Sequence, residues 1–194
     1  MNQGNRTDFP FEGWRHLADS GLFSVLSETE SGGGLVDAVA RFRRIGRECP
    51  DRGLTFSAVT QLASTIFCLE AFGSSTLRER YLPAARTGEA IGGHAITEEG
   101  AGSDVMNMST TAVWDDGHYV LSGAKRFITN APIASTLIVY AKTTGDGHDG
   151  SLSAFLVETE WPGVVASGPM PTAGLRSSPI GEVRFDEVAV PEGN

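Results

Sequence analysis

The sequence predicts an α+β fold, with a helical bundle over residues 1–92 followed by an antiparallel β-barrel over residues 93–194. Two observations carry this division. Apolar residues in the first half recur three and four apart, the period of one helix face. From Ala90 onward they gather instead into short β-branched and aromatic runs separated by Gly-, Asp- and Pro-containing turns. An apolar content of 40% is enough for a packed core in a chain of 194 residues.

The helical elements follow in order. Phe11, Trp14, Leu17 and Ala18 share a face, and Gly21 stops that helix. After the run Gly32-Gly33-Gly34, a second periodic set comprises Leu35, Val36, Val39, Phe42 and Ile45, with the Arg41-to-Arg47 stretch forming a solvated face. A third set, Leu54, Ala58, Leu62, Ile66 and Leu69, ends before Gly73. Thr76 and Glu79 read as a capping box opening the segment Leu77 to Leu82, which Pro83 helps to close. The predicted strands are Thr110–Trp114, Tyr119–Leu121, Phe127–Thr129, Thr136–Ala141, Leu152–Val157 and Val183–Val190. The polar loop from Thr143 to Ser151 reads as a hairpin tip.

Composition removes several function classes. With 24 acidic against 15 basic residues the chain carries a formal charge of -9, the wrong sign for a nucleic-acid surface. No uncharged apolar run approaches the ~18–20 residues of a membrane span, and the start MNQGNRTDFP lacks the pattern of a secretory signal. Cys49 and Cys68 lack CxxC spacing, so reduced core thiols in a cytoplasmic protein are expected, with no metal site.

Two clusters hold the unusual residues. In Ala95-Ile-Thr-Glu-Glu-Gly-Ala-Gly-Ser-Asp104 a β-like run gives way to small residues, which let backbone N–H groups approach a ligand; the Ser103 hydroxyl adds a donor suited to phosphate. The same pattern fits an ordinary turn after a strand, and it is neither a Walker A loop nor a Rossmann fingerprint. In Gly123-Ala-Lys-Arg-Phe-Ile-Thr-Asn130, Phe127 is suited to cover an aromatic ligand and Thr129 to bond a ring nitrogen. A core phenylalanine beside a solvent-facing threonine fits these residues equally.

Together the clusters T-E-x-x-A-G-S-D and G-x-K-x-(aromatic)-I-T-N, with their spacing, resemble the acyl-CoA dehydrogenases over nearly the whole chain. Gly13-Trp14, Arg80-Tyr81-Leu82-Pro83, Gly174-Leu175-Arg176 and Phe185-Asp186-Glu187-Val188 agree with that likeness. The resemblance implies the family's N-terminal helical and middle β-barrel domains without its C-terminal four-helix domain. It implies FAD as cofactor, with His94, Ile96 and Thr97 lining the flavin and the Thr97 hydroxyl and nearby N–H groups at its pyrimidine edge. Gly102 and Ser103 would serve the pyrophosphate, Ser103 also the edge of the acyl thioester site. Phe127 and Ile128 would pack at the ring, and Thr129 would donate to N5.

The implied reaction is α,β-dehydrogenation of an acyl thioester of CoA or a carrier protein, with electrons passing to an electron-transfer flavoprotein. This would place the chain in fatty acid metabolism. The family's base lies in the C-terminal domain and no residue here matches it, so the resemblance implies a catalytic unit completed in a homo- or hetero-oligomer by a chain carrying that domain. Glu98 belongs to the flavin loop, with a role in bonding that loop. A flavin monooxygenase of the same superfamily and a non-catalytic homologue are the alternatives. His94, Glu99 and Phe127 stand where the family commonly has tyrosine, proline and tryptophan, and Glu99 adds negative charge beside the expected pyrophosphate.

Overall fold

In the computed structural model, which describes residues 9–26, 34–145 and 150–194, helical spacing becomes helix throughout the first half. Gly32 and Gly33 of the glycine run, and the tip of the Thr143–Ser151 loop, lie outside the described residues. Helix α1 (Phe11–Asp19) buries Trp14 and Ala18 and ends before Gly21, whose φ of 74° is the left-handed turn that glycine adopts without strain. Trp14 Nε1 donates to the Gly88 carbonyl at 2.8 Å, and its ring meets Phe23 at 4.7 Å.

Helix α2 (Leu35–Glu48) forms where expected but buries less than its pattern promised. Ala38 is its buried residue, Phe42 and Ile45 pack partly on the core, and Leu35, Val36 and Val39 stay exposed. Its arginine face is solvated, with Arg41–Asp37 and Arg44–Glu48 pairs four residues apart.

The third periodic set is one continuous helix, Arg52–Phe72. It consists of α3 (Arg52–Thr60), a π-helical stretch (Gln61–Ile66) and α4 (Phe67–Phe72). With 21 residues and a mean hydropathy of 1.3 it is long and apolar enough to cross a membrane, contrary to the sequence expectation. Arg52 and Glu70 bound an uncharged run of 17 residues, Gly53–Leu69, which falls just short of the length sought in the sequence. Leu54, Ala58, Leu62, Ile66 and Leu69 are nevertheless buried in the helical core. The π stretch carries Gln61, a buried amide that donates to the Ala85 and Ala90 carbonyls at 3.0 and 2.9 Å and accepts from Gly92 N at 2.8 Å. One side chain thereby joins the long helix, the end of the next helix and the first strand. Cys49 and Cys68 are free thiols, half-buried and packed against the helical core.

Helix α5 (Ser75–Arg86) corrects two expectations. Its cap is Ser74, whose hydroxyl accepts from Leu77 N at 3.2 Å, and not Thr76. Pro83 lies inside the helix and does not close it, because burial of Tyr81, Leu82 and Ala85 holds the turn beyond the proline.

Among the described residues seven strands form one curled sheet in the order β1-β4-β2-β3-β7-β6, with β5 on the free edge of β4. They are β1 (Gly92–Ala95), β2 (Thr111–Asp115), β3 (His118–Thr129), β4 (Thr136–Thr144), β5 (Ser151–Glu158), β6 (Val164–Ala166) and β7 (Ile180–Pro191). The helices-then-sheet order expected from sequence holds, with differences of detail. Tyr119–Leu121 and Phe127–Thr129 belong to a single 12-residue strand. The sheet is mixed: one edge of β4 pairs in parallel with β1 over its first half and with β2 over its second. Hydrophobic patterning marks strands without naming their partners, so the parallel pairs were not foreseeable.

Alternation along β4 and β5 joins the two halves of the chain. Leu137, Val139, Ala141, Phe155 and Val157 face the sheet's own core, while Ile138 and Leu156 face the helical core, where Tyr140 packs partly. Polar contacts reinforce this seam, with Glu158 accepting from Tyr81 Oη and Arg80 Nη2, each at 2.7 Å. At the start of α3, Asp51 caps Leu54 N at 2.9 Å and accepts from Ser177 Oγ, while Ser57 Oγ donates to Ser178 Oγ at 2.9 Å. A methyl group on Gly53 would stand 2.8 Å from Ser178 N and 3.0 Å from the Leu175 carbonyl. Gly53→Ala is therefore expected to lower stability by about 1–3 kcal/mol, read as a reduced denaturant midpoint. An unchanged midpoint would show that the 175–178 segment does not rest on α3.

Candidate functional site

The two motif clusters meet where β3 is bulged. Pairing with β7 shifts register between Lys125 and Ile128, so inward alternation breaks. Lys125 and Ile128 point inward at 1% and 2% exposure, whereas Phe127 is turned out, 56% exposed. Its φ of 59° is left-handed, a conformation costing about 1–3 kcal/mol for a residue of this bulk. Phe127 thus belongs to neither hydrophobic core. The Arg126 guanidinium sits 4.9 Å from the centre of the Phe127 ring and pairs with Glu99 at 3.3 Å and Glu182 at 2.9 Å. The charge that Glu99 brings to the loop is thereby partly neutralised.

A buried ion pair fixes the first cluster onto the second. The Glu98 carboxylate accepts from five donors: Ser109 N and Oγ at 2.6 Å each, Thr110 N at 3.0 Å, Thr110 Oγ1 at 2.5 Å and Lys125 Nζ at 2.8 Å. Lys125 Nζ also donates to the Ile96 carbonyl at 3.1 Å, and Arg126 N to the Thr97 carbonyl at 2.8 Å. Burial alone would raise the Glu98 pKa, but hydrogen bonds from Lys125, Ser109 and Thr110 prevail and hold it at about 2. For Lys125 burial dominates and draws its pKa down, against the opposing pull of Glu98. Glu98 bonds the loop, as its place in the motif suggests.

Other sequence-selected residues are distributed around this hub. Gly93 of β1 packs beside the Thr129 carbonyl and the Ile128 side chain, so β1 runs along the bulged end of β3 and brings Thr97, Phe127 and Thr129 to one region. The Thr97 and Thr129 hydroxyls are half-buried and have no partner among the described residues. Gly102 and Ser103 are exposed, their amides without a partner among the described residues, in a loop closed by Glu98 N to the Ala101 carbonyl at 2.9 Å. Ile96 is half-buried, and Ile128 faces the sheet core. His94 is directed at the helices: its Nδ1 donates to the Ser64 carbonyl of the π stretch at 3.1 Å, and its ring lies 5.0 Å from Tyr140.

Sequence reasoning passed over two residues. Lys125 occupies the inward register shared with Leu121, a position where a charged side chain signals a buried partner. Asn130, fully buried with φ 67°, donates to the Ser57 and Gly92 carbonyls at 3.3 Å each and ties the end of β3 to both α3 and β1. A hollow of about 320 Å³ adjoins Glu98, Gly100, Ser109 and Arg126. The larger cleft, about 1100 Å³ between Pro50–Gly53 and the 169–179 segment, lies apart from these clusters.

Comparison with known sequences decides the family. The profile "Acyl-CoA dehydrogenase, N-terminal domain" matches residues 2–89, and "Acyl-CoA dehydrogenase, middle domain" matches residues 93–188. The chain belongs to the acyl-CoA dehydrogenase family. Among its relatives in that family is an L-prolyl-[peptidyl-carrier protein] dehydrogenase of Serratia sp., 38% identical over 92% of this chain and 47% of the relative. Two solved acyl-CoA dehydrogenase-type structures superpose closely. The prolyl acyl carrier protein oxidase AnaB has a TM-score of 0.88 at 29% identity, over 96% of this chain and 50% of that one. An FAD complex of PigA has a TM-score of 0.86 at 36% identity, over 94% and 48% respectively. The chain spans about half the length of the curated relatives it matches.

Proposed function

We propose that this chain is the FAD-binding portion of a dehydrogenase that acts on acyl thioesters, with Thr97, Ser103, Phe127 and Thr129 at the cofactor. The observation that carries this reading is the bulge that turns Phe127 outward beside Thr97 and Thr129, whose hydroxyls are unpartnered among the described residues. The residues present fit the cofactor chemically. Exposed glycine and serine amides in the 100–103 loop suit a pyrophosphate, and the open space around Gly100 and Gly102 leaves room for it. The half-buried threonines suit polar atoms of a ring that Phe127 covers. His94 and Ile128 support the site from behind, through Ser64 and the sheet core.

When bound, FAD supplies the two-electron acceptor for the hydride leaving the substrate β-carbon. The protein's part is to hold donors in fixed positions around the ring and to keep the loop rigid. Glu98 is unsuited to remove the α-proton, because five donors keep it anionic with a pKa of about 2. We assign the base instead to the family's helical C-terminal domain, as the resemblance implies. Relatives are named for both thioester carriers, prolyl groups on carrier proteins in some and isovaleryl-CoA or glutaryl-CoA in others, and the proposal extends to either carrier. An electron-transfer flavoprotein or equivalent acceptor takes the electrons, and the setting is cytoplasmic.

Titration of the purified chain with FAD tests the reading. Quenching of flavin fluorescence at one FAD per chain is expected, with Phe127→Ala weakening binding by roughly tenfold, about 1.4 kcal/mol. No binding by the chain, with or without a C-terminal-domain partner, would sink the proposal and favour a non-catalytic role.

A further inference from the structure

Lys125 is buried to 0% side-chain exposure, yet its ammonium is not spent wholly on Glu98. Besides the 2.8 Å contact to that carboxylate, Nζ donates to the Ile96 carbonyl at 3.1 Å. The Ile96 carbonyl and the Thr97 N–H belong to one planar peptide unit, whose resonance couples oxygen to nitrogen. A charge-assisted bond at the oxygen withdraws density from the nitrogen and makes the N–H a stronger donor. That N–H has no partner among the described residues, while the carbonyl of the same residue is held by Arg126 N at 2.8 Å. The structure thus presents a polarised, oriented and unused amide beside Thr97, driven by a cation that water does not screen.

We propose that Lys125 is a positioning residue that acts through the Ile96–Thr97 peptide to raise the electron affinity of the flavin, an inference that rests on the FAD reading above. Two-electron reduction adds negative charge to the pyrimidine edge of a flavin. A sharpened donor at that edge stabilises the reduced form more than the oxidised form. The role differs from bracing the loop: Glu98 retains four bonds from Ser109 and Thr110 without Lys125, so the loop has an independent anchor.

The test uses the full chain loaded with FAD, with the midpoint potential measured against a reference dye. In Lys125→Met, and in Lys125→Met with Glu98→Gln, the ratio of affinities for reduced over oxidised FAD is expected to fall about tenfold, a potential about 30 mV more negative. Ser109→Ala, which removes one of the loop's other anchors but keeps both charges and the bond to Ile96, is expected to show no such fall. The double variant removes both charges together and carries the test if the single one does not fold. Stoichiometric FAD at an unchanged potential in the Lys125 variants would overturn the proposal. So would an equal fall in Ser109→Ala, which would mark a merely structural role. Failure of the unaltered chain to bind FAD would instead overturn the reading beneath it.

Discussion

Glu98→Leu is expected to lower stability by about 3–5 kcal/mol, because it leaves the Lys125 ammonium uncompensated in the interior. For a chain of this size that corresponds to a fall in Tm of roughly 6–20 °C. The substitution also strips the Ser109 and Thr110 donors of their shared acceptor, so no rearrangement of one partner alone repairs it. Acid offers an independent reading of the same contact. The Glu98 pKa is about 2 in the folded protein against an ordinary 4.5, so its contribution is fully present above pH 4.5 and is lost as the pH falls toward 2. A depression of that size corresponds to about 3 kcal/mol. Denaturant unfolding from neutral to acid pH should show that limb in the unaltered protein and a flatter profile in the variant. A loss below about 1 kcal/mol at neutral pH would sink the idea that this pair holds the two motifs together.

Replacing the two half-buried threonines proposed for the cofactor site, Thr97→Val with Thr129→Val, is expected to weaken FAD binding about a hundredfold, each lost hydrogen bond accounting for roughly tenfold. Valine keeps the shape and the strand preference of threonine, so the unfolding free energy should move by no more than about 0.5 kcal/mol. The separation of the two readouts matters. A variant that loses FAD and stability together would point to a packing role for these half-buried side chains. Affinity retained within about threefold would remove both hydroxyls from the cofactor site.

Much of the fold was legible because it depends on short-range periodicity. The buried residues of the long helix, Leu54, Ala58, Leu62, Ile66 and Leu69, are those its spacing marks. The strands that carry Val113, Val139 and Val157 also lie where β-branched residues cluster. The Thr76 cap failed because Ser74 is an equally good acceptor two residues earlier, and the helix begins where its downstream face first packs. Pro83 misled because local propensity yields to the burial of Tyr81 and Leu82. On α2, apolar spacing was read as burial although Leu35, Val36 and Val39 remain exposed, since amphipathic pattern shows a preference and not a partner.

The candidate site divides along the same line. Spacing and residue type identify the two motifs, because threonines, small residues and an aromatic at those positions are visible in any linear reading. Their joining is not visible there. It rests on Glu98 meeting Lys125 across 27 positions of chain, on Arg126 N reaching the Thr97 carbonyl, and on a bulge that turns Phe127 outward. Parallel placement of β1 beside β4, and the turn of His94 toward Ser64, are likewise outcomes of long-range packing. Local preference costs tenths of a kcal/mol and is written residue by residue. A buried ion pair or a β-ladder exists only once distant segments exclude water together, and only the folded chain specifies which segments those are.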